Sequence, residues 1–80
     1  MRVLLVEDDP VLSVSLKQGL RKMSFSVELS HDGAEADAIL SLRAFDLVVL
    51  DLGLPGLSGM DVLVRLRKRG STVPVLLLTA

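Results

Sequence analysis

Apolar residues along this 80-residue chain follow two kinds of pattern. Val3–Val6, Leu47–Leu50 and Val75–Leu78 are unbroken apolar runs. They are too short for helices and suit strands covered on both faces. Each run stops at a polar residue: the first at Glu7-Asp8-Asp9, the second at Asp51, the third at Thr79. Phe25, Val27 and Leu29 alternate with Ser26, Glu28 and Ser30, the pattern of an edge strand wet on one face. Helical spacing fills the intervals. Asp9 is a fitting N-cap and Pro10 a first helical residue, and Val11, Leu12, Leu16, Leu20 and Met23 form a stripe that carries a helix to about Lys22. Gly19 inside it either weakens the helix or permits close packing on the sheet. Asp32 and Glu35 have capping-box spacing before Ala36, Ile39 and Leu40, and Ser58 with Asp61 precedes Val62, Leu63 and Leu66. The third helix closes on Arg65, Arg67, Lys68 and Arg69, then Gly70.

The predicted order is β-α-β-α-β-α-β. Connections long enough for helical crossovers imply parallel strands. The expected fold is therefore α/β, a flavodoxin-like doubly wound sheet of order 2-1-3-4, truncated after its fourth strand. A doubly wound domain normally continues with a covering helix, so residues 1–80 are expected to be an incomplete domain that lacks a C-terminal helix–strand–helix.

Composition narrows the classes. An apolar fraction of 50% and a mean hydropathy of +0.55 are high for so short a chain and suit a sheet buried on both sides. The net charge of −1 gives no sign of nucleic-acid or membrane binding, and Phe25 and Phe45 are the only aromatics. No cysteine is available for disulfides or thiolate metal sites. No apolar run approaches the roughly 20 residues of a membrane span, and the N-terminus has no cleavable signal pattern, so a cytoplasmic location is the default expectation.

The chemistry lies at the strand ends. In the expected topology the chain reverses direction beside the first strand, and the carboxyl ends of strands one and three line the crevice where open α/β sheets bind ligands. Glu7, Asp8 and Asp51 would meet there. An all-oxygen cluster without sulfur or imidazole fits a hard cation, and Mg²⁺ fits better than Ca²⁺ because it needs fewer protein oxygens. The Gly53 backbone carbonyl, just past Asp51, is placed to complete the set. Asp51, alone where strand meets loop, is the best-placed carboxylate nucleophile for an acyl phosphate. Thr79 offers that phosphate a hydroxyl, and backbone N–H groups near Leu52 and Ala80 offer further donors. Leu52-Gly53-Leu54-Pro55-Gly56-Leu57-Ser58-Gly59 is a shaped loop. Asp9 reads as a helix cap, Arg65–Arg69 as helix-end cations, and His31 as an exposed loop residue.

Val6-Glu7-Asp8-Asp9, Asp51-Leu52-Gly53-Leu54-Pro55-Gly56-Leu57-Ser58-Gly59 and Leu77-Leu78-Thr79-Ala80 together resemble the landmarks of bacterial response-regulator receiver domains, of the OmpR/PhoB type in particular. The resemblance covers all 80 residues. It implies a phosphoacceptor of two-component signalling, not a turnover enzyme, from a DNA-binding transcription regulator. It further implies that Asp51 accepts phosphate from a sensor histidine kinase. Asp8, Asp51 and the Gly53 carbonyl would bind Mg²⁺ directly, Glu7 would bind it through water, and Thr79 would be the switch hydroxyl. The lysine and switch aromatic of a receiver's fifth strand would lie beyond Ala80, as would any effector domain, through which alone DNA would be contacted.

Three other functions are consistent with parts of this pattern. A truncated receiver could serve only as a structural module that self-associates as a dimer or domain swap, through an open edge strand. A Mg²⁺-dependent aspartyl phosphohydrolase would carry a second Asp two residues after the nucleophile, where this chain has Gly53. Nucleotide binding would need glycines in the first strand–helix turn, which holds Glu7-Asp8-Asp9-Pro10 instead.

Overall fold

The computed structural model describes residues 1–79. Its elements are β1 (Arg2–Val6), α1 (Pro10–Lys22), β2 (Ser26–Ser30), α2 (Gly33–Leu42), β3 (Leu47–Asp51), α3 (Gly59–Lys68) and β4 (Val75–Leu78). All strand pairs are parallel, in the order β2-β1-β3-β4. This is the flavodoxin-like doubly wound sheet that the apolar pattern predicts. Two of the three continuous apolar runs, in β1 and β3, are the buried central strands, as expected of strands covered on both faces. The third, β4, lies at the sheet edge with Leu76 and Leu77 54% and 38% exposed, so an apolar run alone does not mark a covered strand.

Leu4, Val6, Val48 and Leu50 pack on one face with Ala36 of α2, Val62 of α3 and Leu54 of the β3–α3 loop. Val3, Leu5, Val27 and Val49 pack on the other face with Leu16 and Leu20 of α1 and Phe25. Each large apolar side chain buried in these layers contributes about 1.5–3 kcal/mol relative to exposure. The helix starts follow the predicted caps. Asp9 Oδ1 accepts from the N–H groups of Val11 and Leu12 at 2.9 and 3.2 Å. Asp32 Oδ1 accepts from Glu35 N–H at 2.7 Å, and Ser58 Oγ from Asp61 N–H at 3.1 Å.

Four local expectations are corrected. The buried face of α1 is Ser13 with half-buried Leu16 and Leu20, while Val11 and Met23 are 76% and 65% exposed. The helix is apolar on more than one side, so spacing alone does not choose the face that meets the sheet. Gly19 has nothing near its would-be Cβ and makes no close approach. The polar face of β2 is not simply wet: Ser30 is fully buried, and Glu28 pairs with Arg43 at 2.6 Å. The α3 cations are also more than solvated helix-end charge. Arg69 and Arg65 pair with Asp37 of α2 at 2.8 and 3.3 Å, and Arg67 donates to the carbonyls of Ser71 and Val73. That helix end therefore ties α3 to α2 and to the connection leading into β4.

Candidate functional site

The sheet register brings the strand ends together. β1 and β3 pair with Val6 opposite Leu50, so the next residues, Glu7 and Asp51, are neighbours. β3 and β4 pair with Asp51 opposite Leu78, which sets Thr79 beside them. The α1 cap begins two residues after Glu7 and forces a turn. Glu7 Oε2 accepts from Asp9 N–H at 3.1 Å within that turn. Glu7 is buried at 3% exposure, Asp8 is exposed and Asp51 is half-buried.

One carboxylate oxygen from each of Glu7, Asp8 and Asp51 lies within 4.8 Å of the others. They face a cleft of about 360 Å³ shared with Thr79, and Leu12 and Leu78 supply its apolar wall. Asp9 also reaches the cleft, but its Oδ1 is committed to the helix cap. No cationic side chain lines it among the described residues. Burial raises the Glu7 pKa above its ordinary range, and the hydrogen bond and charge of neighbouring Asp51 raise it further, against the lowering effect of the Asp9 N–H. Like charges held this close at a sheet edge cost stability, and a hard divalent cation would relieve that cost.

Asp51 Oδ1 accepts from Gly53 N–H at 2.9 Å. The chain thus turns back on the carboxylate, which fixes the side chain of Asp51 beside the cleft. Gly53 itself is exposed, and its observed contact with the site is through its N–H. The expected Leu52 donor is engaged elsewhere: its N–H bonds the Leu78 carbonyl at 3.1 Å as the β3–β4 ladder continues. Ala80, the other expected backbone donor, lies outside the described residues.

Two glycines matter that the sequence reading did not single out. A Cβ on Gly59, at the start of α3, would lie 2.1 Å from the Asp51 carbonyl oxygen. A Cβ on Gly33, at the start of α2, would lie 1.8 Å from the Leu57 carbonyl oxygen. The loop after Asp51 is thus gripped at both ends by backbone approaches that only glycine permits. Position after a capping residue was the only available signal for either.

Comparison with known proteins agrees with this geometry. A profile of the response regulator receiver domain matches residues 3–80. The chain belongs to the response regulator receiver domain family. It is 48% identical over its full length to the transcriptional regulatory protein TctD of Salmonella typhimurium and 50% identical to the response regulator protein PmrA of Pseudomonas aeruginosa. These are regulators of the OmpR family, and the chain spans 36% of the length of each. The structure of the response regulator TrrA from Thermotoga maritima, in complex with Mg²⁺ and BeF, superimposes with a TM-score of 0.94 at 34% identity, over 99% of this chain and 69% of that one. No helix among the described residues is long and apolar enough to cross a membrane.

Proposed function

We propose that this receiver domain takes a phosphoryl group on Asp51, in a Mg²⁺-dependent transfer from a sensor histidine kinase. The observation that carries the reading is the convergence of Glu7, Asp8 and Asp51 within 4.8 Å at the carboxyl edge of the sheet. The donor set fits Mg²⁺: it is all oxygen, and its buried member, Glu7, faces Asp51 with no cationic side chain lining the cleft among the described residues. Asp8, Asp51 and the Gly53 carbonyl would hold the ion directly and Glu7 through water. When bound, the ion neutralises the carboxylates and the oxygens of the incoming phosphoryl group.

The chain's own residues set up the transfer. The Gly53 N–H holds Asp51 Oδ1 and so orients the carboxylate, one oxygen of which is the attacking atom. Its lone pair forms the new O–P bond, and the P–N bond of a phosphohistidine breaks with its electron pair leaving on nitrogen. The product is an acyl phosphate. The Thr79 hydroxyl, in the same cleft, donates to a phosphoryl oxygen and serves as the switch. The domain acts as an acceptor, in the cytoplasm, in the service of a DNA-binding transcription regulator. The test has two steps. Titration with Mg²⁺ should shift backbone amide resonances around Asp8 and Asp51, and a phosphoramidate donor should then add one phosphoryl group that Asp51→Asn abolishes. A folded sample without a localised Mg²⁺ response would refute the reading.

A second reading is association of two copies through β4. It is favoured by Leu76 and Leu77, 54% and 38% exposed on opposite faces of a strand that pairs, among the described residues, with β3 alone. Uncharged edge strands of this kind invite pairing. Light scattering should show dimers, and a monodisperse monomer would end this reading.

A further inference from the structure

The β2–α2 turn contacts the acidic cleft from behind. Glu7 N–H donates to the Ser30 carbonyl at 3.0 Å, and His31 Nδ1 lies 3.1 Å from the Glu7 carbonyl oxygen. A carbonyl oxygen only accepts, so Nδ1 carries the hydrogen. The Glu7 carbonyl belongs to the peptide that joins Glu7 to Asp8. A peptide unit is planar, so fixing its oxygen fixes the plane from which Asp8 departs. Glu7 is thereby tied through its N–H to Ser30, its carbonyl to His31 and its side chain to the Asp9 N–H. The same turn continues into Gly33, which abuts Leu57 in the loop that follows Asp51. One short turn therefore touches both arms of the site.

We infer that His31 is a positioning residue of the cleft: its Nδ1–H orients the Glu7–Asp8 peptide and so presets both carboxylates for a hard divalent cation. The inference rests on the Mg²⁺ reading above and adds to it a residue that does not touch the ion. Partners of this outer kind orient the groups that ligate a metal. The bond is part-buried, and its loss should weaken Mg²⁺ binding about three- to tenfold, the weight of a single hydrogen bond.

The test uses nitrogen-detected NMR of the imidazole together with Mg²⁺ titration. Above the ordinary histidine range, at about pH 8.5, the ring should show the Nδ1–H tautomer, the less populated form of free histidine. His31→Ala should keep the helical circular dichroism of the wild type and bind Mg²⁺ three- to tenfold more weakly, read from the amides of Asp8 and Asp51. His31→Asn, whose side-chain N–H can reach the same carbonyl, should recover most of the loss. An Nε2–H tautomer would overturn the inference, as would a His31→Ala variant that binds Mg²⁺ like the wild type. A wild type that shows no Mg²⁺ response would overturn the metal reading and this inference with it.

Discussion

Gly59→Ala probes the contact that seats the end of β3 against α3. The added methyl would lie 2.1 Å from the Asp51 carbonyl oxygen, 2.9 Å from its carbonyl carbon and 3.0 Å from Leu52 Cα. All three are backbone atoms, so no flexible side chain can swing aside. Relief requires α3 or the end of β3 to move by roughly 1 Å, and overpacking of this kind costs about 1–3 kcal/mol. Alanine would normally favour a helix by about 0.5–1 kcal/mol over glycine, which is too little to offset the clash at its upper range. Gly19 supplies the internal control. It lies inside α1 with nothing within 4 Å of its would-be Cβ, so Gly19→Ala should stabilise by about 0.8–1 kcal/mol. The chain has neither Trp nor Tyr, so unfolding is best followed by circular dichroism. For a domain of this size 1 kcal/mol moves the melting temperature by about 4–8 °C, so the two variants should melt on opposite sides of the wild type. The Asp51 and Gly53 amide resonances should shift in Gly59→Ala alone. A Gly59→Ala protein as stable as the wild type, with those resonances unmoved, would refute the close-approach argument.

Three further outcomes follow from charge and backbone conformation. Glu7 has a raised pKa when folded, chiefly from burial, so the folded chain holds that proton more tightly than the unfolded chain does. Its contribution to stability is greatest below its ordinary value of 4.5 and falls as pH rises through the raised folded value. Without divalent cation, Glu7→Gln should therefore gain stability over the wild type as pH rises above the ordinary value of 4.5, and urea titrations in which the two proteins keep a constant difference across that rise would contradict this. Asp37 has the opposite sign: the hydrogen bond and charge of Arg69, helped by Arg65, lower its pKa, so its contribution is present above its ordinary value of 3.8 and lost as pH falls through the lowered one. The arginines are partly exposed, so Asp37→Asn should cost only about 0.5–1 kcal/mol at neutral pH, and less in high salt. A cost that persists unchanged in acid would show that the ion pairs are not its source. Ser24 follows the C-cap of α1 with φ of 68°, in the left-handed region, so Ser24→Gly should raise stability by up to about 1 kcal/mol in thermal melts; a lower melting temperature would refute that account.

Much of this molecule is written in short stretches of the chain. The caps at Asp9, Asp32 and Ser58 act on N–H groups two or three residues ahead, so their sequence neighbours reveal them. β1 and β3 are legible as strands from their continuous apolar runs, which suit coverage on both faces, but the equal run in β4 lies at the edge and only the sheet order tells them apart. The acidic residues stand at strand ends, and the parallel order implied by the crossovers is enough to gather Glu7, Asp8 and Asp51 at one edge.

Other features required the assembled fold. The buried face of α1 was settled by where the helix lies on the sheet, since Val11, Leu12 and Val14 are as apolar as the residues that pack. His31 reads as a surface loop residue until β2 pairs with β1 and carries it to a carbonyl 24 positions away. Gly33 and Gly59 look like ordinary helix-start glycines until Leu57 and Asp51 arrive against them. Period and capping are properties of neighbouring residues, which the sequence by itself determines. Register, close approach and the burial of one carboxylate among others come from segments distant along the chain meeting in space, and only the tertiary structure decides them.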